Sequence, residues 1–181
     1  SVINDMLANQ AISEPFASYA KYFNVYAISI SSMESGADQP LKSITVDTAL
    51  NSSFSWGGSV ERLLSFDTSL ANTAMSQAFK GTNISPHMKL GIVNTSKYGG
   101  AGGEWAISYA TDKANLLLHE IGHSYVGLAD EYESAGGTVP TSEPSELNVT
   151  MDSTGSKWSH WMGYDDGILG PIGVFEGGKY T

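Results

Sequence analysis

Short segments in which apolar and polar residues alternate predict the strands of this protein. Residues 22–31 alternate aromatic and β-branched side chains with polar ones, and residues 105–110 repeat the pattern. Residues 89–93 form a short apolar run typical of a buried strand, and residues 43–50 show a weaker alternation. We therefore expect up to four strands.

Apolar residues at helical spacing predict two helical segments in the first half of the chain. Residues 2–20 show this spacing, but Pro15 interrupts it, which favours two short helices or one broken helix. Residues 60–79 place leucine, alanine and methionine on one stripe, which we expect to end at Gly81.

A third helix is predicted over residues 113–126. Thr111 or Asp112 can cap its N-terminus, and Gly127 is a natural left-handed residue after its end. Beyond Gly127 the chain is punctuated by glycine and proline. The order of elements predicts an α/β domain with a helix beneath a sheet and an irregular C-terminal part.

Composition narrows the classes of partner and metal site. The chain has 181 residues, and 9 basic against 19 acidic residues give a net charge of −10, which repels polyanions, so we expect no nucleic-acid partner. No apolar run approaches the roughly 20 residues needed to span a bilayer, so we expect no membrane insertion.

The chain contains no cysteine, so any metal must be held by His, Asp or Glu. Lack of cysteine also fits an exported bacterial protein, and we expect a secreted or cell-surface location.

The most informative motif is HEIGH in the third helix. His119 and His123 are four residues apart, so both rings project from one helix face and can converge on a metal. Glu120 lies one residue further round, where its carboxylate can reach a water bound to that metal. With four histidines in the chain, random placement would give about 0.005 such matches. The alternative is an amphipathic helix with two solvated histidines.

A catalytic zinc usually has a third protein ligand and an open position for water. In the longer zinc motif HExxHxxGxxH the glycine precedes the last ligand by three residues, and Gly127 precedes Asp130 by the same interval, although Gly127 lies four residues after His123 instead of three. Asp130 is therefore the predicted third ligand, and Glu131 is the next candidate.

Two further residues compete for the metal. Glu143 lies about twenty residues after the second histidine, a spacing used by another class of zinc site, but Pro140 and Pro144 disfavour a helix there. His160 lies between Trp158 and Trp161, where a histidine is more often structural.

The glycine-rich run before the third helix is a candidate substrate edge. Gly100, Gly102 and Gly103 allow close backbone approach, and Trp105 begins the predicted strand that follows. An extended peptide could add to this edge through main-chain hydrogen bonds. The alternative is an ordinary tight loop.

The segment HEIGHSYVGLADEY closely resembles the signature of the IgA-cleaving metallopeptidases, or igalysins, of the metzincin clan. Further similar segments follow in the same order along most of the chain: PFASYAKYFNVYAIS, ESGAD, KYGGAGG, NVT, KWSHW and GVFEGGKY.

This resemblance implies a zinc endopeptidase that hydrolyses protein substrates. His119, His123 and Asp130 match the zinc ligands of the family, and Glu120 matches the general base. The implied fold is a metzincin-like zincin domain with a twisted mixed sheet, an active-site helix and an irregular C-terminal lobe.

The resemblance also sets the expected domain organisation. We expect one catalytic domain over residues 1–181, with an upper lobe of residues 1–127 and a lower lobe of residues 128–181. Neither Met151 nor Met162 lies in an obvious version of the family's methionine turn, and the family's additional strand and DGY-like segment are missing ahead of Ser1, so we expect the domain to be incomplete at both ends. The alternative function is a catalytically silent zincin domain that binds protein or carbohydrate. The sequence carries no signal for an oligomeric state.

Overall fold

The computed structural model describes residues 2–8, 14–56, 58–133, 138–167 and 170–178. The chain divides into two compact units, Ser1–Tyr125 and Val126–Thr181. The predicted lobes divide two residues later, and their union in one catalytic domain stays a prediction. Within the described residues, every helix is too short or too polar to cross a bilayer.

Three α-helices and two strands form the regular structure of the described residues. The helices are α1 (Val2–Ala8), α2 (Thr68–Ala78) and α3 (Asn115–Ile121), the last of which continues as a π-helical turn over Gly122–Val126. The strands are β1 (Leu90–Val93) and β2 (Ala106–Tyr109). Three short 3₁₀ helices cover Ala20–Tyr22, Pro40–Lys42 and Ser156–Trp158. The α/β class is confirmed.

The strands pair in parallel and bring the glycine-rich run beside β2. Leu90 is opposite Ala106, and the register continues to Val93 opposite Tyr109. An antiparallel bridge joins Ala101 to Ile107, whose N–H donates to the Ala101 carbonyl at 2.9 Å. The strands predicted over residues 89–93 and 105–110 are therefore present.

Two other predicted strands are wrong. Residues 24–31 are exposed, and among the residues that the structure describes no strand ladder includes them. Residues 43–50 contribute only an isolated bridge between Gln39 and Ile44. Alternation favours an extended backbone, but a strand also needs a hydrogen-bonded neighbour, which the sequence does not specify.

The predicted helix over residues 60–79 begins only at Thr68. Leu63 and Ser65 form bridges to Gly100 and Ser53 instead, and these long-range pairings replace the first turns of the helix. Asp67 is the N-cap, because its carboxylate accepts hydrogen bonds from the main-chain N–H groups of Ser69 and Leu70 at 2.9 and 3.1 Å.

Two buried clusters lie on either side of β2. The first contains Ala37, Phe54, Leu64, Phe66, Ala71, Val93 and Ile107, and the second contains Val2, Met6, Ala106, Ala114, Leu117 and Ile121. Successive strand residues point to opposite faces, so Ile107 and Ala106 join different clusters. Helix α3 packs on β2 through the second cluster, which fixes the helix that carries the HEIGH motif.

Asp112 anchors the start of α3, although the N-cap position is Ala114 and neither of the two predicted caps, Thr111 and Asp112, occupies it. Its carboxylate is buried and accepts hydrogen bonds from the Ser108 hydroxyl at 2.7 Å and the Leu117 N–H at 2.8 Å. The Leu116 N–H donates to its other oxygen at 3.3 Å. One side chain thus joins β2 to the first turn of α3.

We expect Asp112→Ala to lower the free energy of unfolding by about 1–3 kcal/mol, because buried donors on Ser108 and Leu117 lose their acceptor. Urea unfolding followed by circular dichroism measures this. Thr111→Ala, which leaves these bonds intact, is the matched control. Equal urea midpoints for the two variants would contradict the anchoring role.

A second expectation concerns Gly91 in β1. A Cβ at Gly91 would overlap the ring of Phe66, which is buried and packs edge-to-face on Trp105 at 5.6 Å. We expect Gly91→Ala to destabilise the fold by about 1–3 kcal/mol through overpacking. Gly58→Ala is the control, since a Cβ there meets nothing within 4 Å. If both variants melt at the parent temperature, the close contact is not present in solution.

Candidate metal centre

Helix α3 and the π-helical turn place two imidazoles side by side. The Nε2 atoms of His119 and His123 are 3.0 Å apart, their ring centroids are 4.5 Å apart, and the ring planes cross at 86°. His119 is exposed and His123 is half-buried. Because the second cluster holds the opposite face of the helix, both rings point away from that core.

This arrangement fits a shared metal ion. Two nitrogens that bind one tetrahedral zinc at about 2.0–2.1 Å lie roughly 3.3 Å apart. The observed 3.0 Å between the Nε2 atoms is close to that separation. The same distance also suits an N–H···N hydrogen bond in which one histidine donates, so a small opening of the pair would admit an ion.

Glu120 is buried beside this pair, with 7% of its surface exposed. It lies three residues from Leu117 in the core and three residues from His123, so it occupies the border between the buried and polar faces of the helix. A buried carboxylate next to two imidazoles is a suitable group for proton transfer.

A glycine seat, formed by Gly100 and Gly102, receives the Glu120 carboxylate. A Cβ at Gly100 would lie 3.1 Å from Glu120 Oε1, and a Cβ at Gly102 would lie 3.2 Å from Oε2 and 2.7 Å from the Cβ of His123. The main chain can therefore approach this closely only at residues without a side chain.

The C-terminal end of the glycine-rich run, at Gly103, is hydrogen-bonded to the π-helical turn. The Gly103 N–H donates to the Ser124 hydroxyl at 3.0 Å, and Gly103 has a positive φ of 138°. Gly102 and Gly103 are exposed, whereas Gly100 is buried. The run therefore lies directly beside the histidine pair and presents an exposed end.

Trp105 lies differently from the three glycines predicted with it. Its ring is half-buried and packs edge-to-face on Phe66 at 5.6 Å, with Lys89 Nζ 5.8 Å from the ring centroid. The role of Gly100, Gly102, Gly103 and Trp105 in substrate binding stays a prediction.

The chain after the helix turns at Gly127 and leads to Asp130. Gly127 has the expected positive φ, 72°. Asp130 is half-buried and Glu131 is exposed. The Asn148 side chain makes two hydrogen bonds to the main chain of Ala129, the residue before Asp130. Within this unit, a defined backbone therefore carries the predicted third ligand.

The rival ligands have other contacts. Glu143 forms an ion pair with Lys157 at 3.0 Å and accepts a hydrogen bond from the Met151 N–H at 3.0 Å. Hydrogen bonds from the Thr150 hydroxyl and the Met151 N–H, with the Lys157 charge, lower the pKa of Glu143. His160 is exposed, and its ring centroid lies 5.3 Å from that of Trp161. The choice of Asp130 over Glu143 stays a prediction.

Sequence reasoning missed three parts of the site: the seat of Glu120, the Ser124 hydroxyl and the Asn148 amide. The seat could have been suspected from the spacing of the glycines, since glycine permits close approach. Ser124 and Asn148 act on residues 21 and 19 positions away in the chain, and no local pattern indicates such pairings.

Comparison with known proteins assigns the chain to a family. None of the curated proteins compared with the chain matches it. The family described as IgA Peptidase M64 matches residues 3–179. This match confirms the resemblance drawn from the HEIGH segment, and it covers nearly the whole sequence. The chain therefore belongs to the IgA peptidase M64 family of metallopeptidases.

Proposed function

We propose that this protein is a zinc-dependent endopeptidase with a metzincin-like zincin fold. His119, His123 and Asp130 hold the ion, and Glu120 is the general base. The observation that carries the proposal is the 3.0 Å separation of two histidine Nε2 atoms next to a buried glutamate.

The choice of Asp130 as third ligand is supported by chemistry and by spacing. Two imidazoles and one carboxylate are a ligand set that zinc uses in catalytic sites. His119, His123 and Asp130 can each offer one ligand atom, an imidazole nitrogen or a carboxylate oxygen. Asp130 also follows Gly127 at the interval expected for a last ligand.

The reaction follows from the position of Glu120. A bound divalent ion would supply Lewis acidity, which polarises the peptide carbonyl and acidifies the attacking water. Glu120 takes one proton from that water as the C–O bond forms, and then gives it to the nitrogen of the leaving amine as the C–N bond breaks. The close approach of Gly100 and Gly102 limits the space around the carboxylate, which favours both transfers.

We place the substrate peptide along the glycine-rich run. Gly102 and Gly103 are exposed, and Gly102 adjoins both Glu120 and His123, so an extended peptide hydrogen-bonded to this main chain would lie beside the base. Gly100 and Trp105 would support the run from the buried side. We further propose a secreted or cell-surface location in a bacterium, for which the support is the lack of cysteine.

The general base is tested with Glu120→Gln, which keeps the size of the side chain and removes its basicity. We expect the variant to retain one equivalent of zinc and to lose about 10²-fold or more in turnover of a casein-type substrate. Zinc content is measured by elemental analysis and turnover by peptide release. A chelator should abolish the parent's activity, and added zinc should restore it.

Glu34→Gln is the matched control, because Glu34 is exposed and accepts a hydrogen bond from the Asp47 N–H that glutamine can keep. If Glu120→Gln cleaves as fast as Glu34→Gln, the assignment of the base is wrong. If zinc-loaded parent protein binds casein without cleaving it, the alternative of a catalytically silent binding domain replaces the enzyme.

The third ligand is tested with two neighbouring acids. We expect Asp130→Ala to lose stoichiometric zinc after dialysis and Glu131→Ala to keep it, because only Asp130 is assigned to the ion. The two variants change the net charge equally, so long-range electrostatics does not separate them. Zinc loss in Glu131→Ala with retention in Asp130→Ala would exchange the two assignments.

A further inference from the structure

We propose that Asn148 is a positioning residue for the metal site, because its side-chain amide fixes the main chain directly before Asp130. The inference rests on the proposed function, in which Asp130 is a ligand. Asn148 lies in the NVT segment, to which the reaction described above assigns no role.

Asn148 contacts both main-chain groups of one residue. Its Oδ1 accepts a hydrogen bond from the Ala129 N–H at 2.8 Å, and its Nδ2 donates to the Ala129 carbonyl at 2.9 Å. The neighbouring Leu147 N–H donates to the Gly127 carbonyl at 3.4 Å. We call these three bonds the amide clamp.

The amide clamp acts on the peptide group that joins Ala129 to Asp130. The Ala129 carbonyl belongs to the same planar unit as the nitrogen of Asp130, so holding that carbonyl fixes the orientation of the plane. Ala129 is 5% exposed, and its buried N–H and carbonyl need partners. The direction in which the Asp130 side chain leaves the main chain is therefore set partly by Asn148.

The chemistry of the amide explains why asparagine suits this position. An asparagine side chain offers one acceptor and two N–H donors, so a single residue can satisfy both groups of Ala129. An aspartate in its place would set a second acceptor against the Ala129 carbonyl. A substitution of nearly the same size can thus break one of the three bonds of the clamp without leaving a cavity.

Residues that orient a metal ligand without touching the metal commonly change its affinity by about 10- to 100-fold when mutated. We expect an effect of this size from Asn148, since an irregular chain lacks the internal hydrogen bonds that orient a ligand on a helix. The His119 and His123 side chains, which α3 and its π-helical turn carry, do not depend on the clamp.

The test uses the full chain with cobalt(II) as the probe. Cobalt affinity is measured by competition with a chelator, and visible absorption reports the ligand set and geometry. We expect Asn148→Ala and Asn148→Asp each to weaken cobalt binding by about 10- to 100-fold and to change the absorption spectrum. Circular dichroism checks that each variant is folded. If Asn148→Ala does not fold, the test rests on Asn148→Asp.

Asp152→Ala is the matched control in the same unit. Asp152 accepts hydrogen bonds from the main-chain N–H groups of Thr154 and Ser156 at 2.8 and 3.1 Å, so its loss weakens a different turn. Hydrogen bonds from Ser156 and Thr154 also hold the pKa of Asp152 well below its ordinary range. We expect this variant to keep the cobalt affinity and spectrum of the parent.

The outcomes separate the clamp from the proposed function. If Asp130→Ala weakens cobalt binding but both Asn148 variants match Asp152→Ala, the positioning role is overturned and Asp130 remains the ligand. If Asp130→Ala binds cobalt like the parent while His119→Ala does not bind it, the ligand assignment fails and the inference fails with it. A parent that binds no cobalt overturns both.

Discussion

The burial of one helix face determines the geometry of the helical part of the candidate site. Leu117 and Ile121 are 0% and 1% exposed, and they hold α3 against β2. With those residues fixed, the 3.6-residue period of the helix turns His119 away from the core and places Glu120 at its border. The hydrophobic effect in this cluster therefore does more than stabilise the fold, since it sets where two imidazoles and one carboxylate can lie.

The parts of the structure that were predicted are those with local causes. Helix α3 could be predicted because its apolar spacing, the Asp112 carboxylate that bonds its first turn and Gly127 beyond its end all lie within residues 112–127. Strands β1 and β2 could be predicted from a short apolar run and from a short alternation of apolar and polar residues, respectively. The HEIGH motif needed only a helix to bring its histidines together, so secondary structure alone was sufficient for that half of the site.

The parts that were not predicted depend on partners far along the chain. Residues 63 and 65 pair with Gly100 and Ser53, so the helix predicted from residue 60 begins at Thr68. The glycine seat was interpreted only as a substrate edge, because the approach of Gly100 to Glu120 requires the tertiary fold. The amide of Asn148 likewise reaches across 19 residues to Ala129.

The proposed ligands differ in how the protein holds them, and this difference explains the need for the amide clamp. The histidines stand on a helix whose main-chain bonds are internal, whereas Asp130 follows a glycine turn in irregular chain, where side chains must supply the missing partners. Ordering such a segment costs about 1–2 kcal/mol per residue in backbone entropy. Asn148 offsets part of that cost before any ion binds, so less binding energy is spent on ordering the chain. An ion bound to Asp130 would in turn favour the paired arrangement of residues 127–129 with 147–148 by mass action, by about 2.7 kcal/mol at a concentration of 100 Kd.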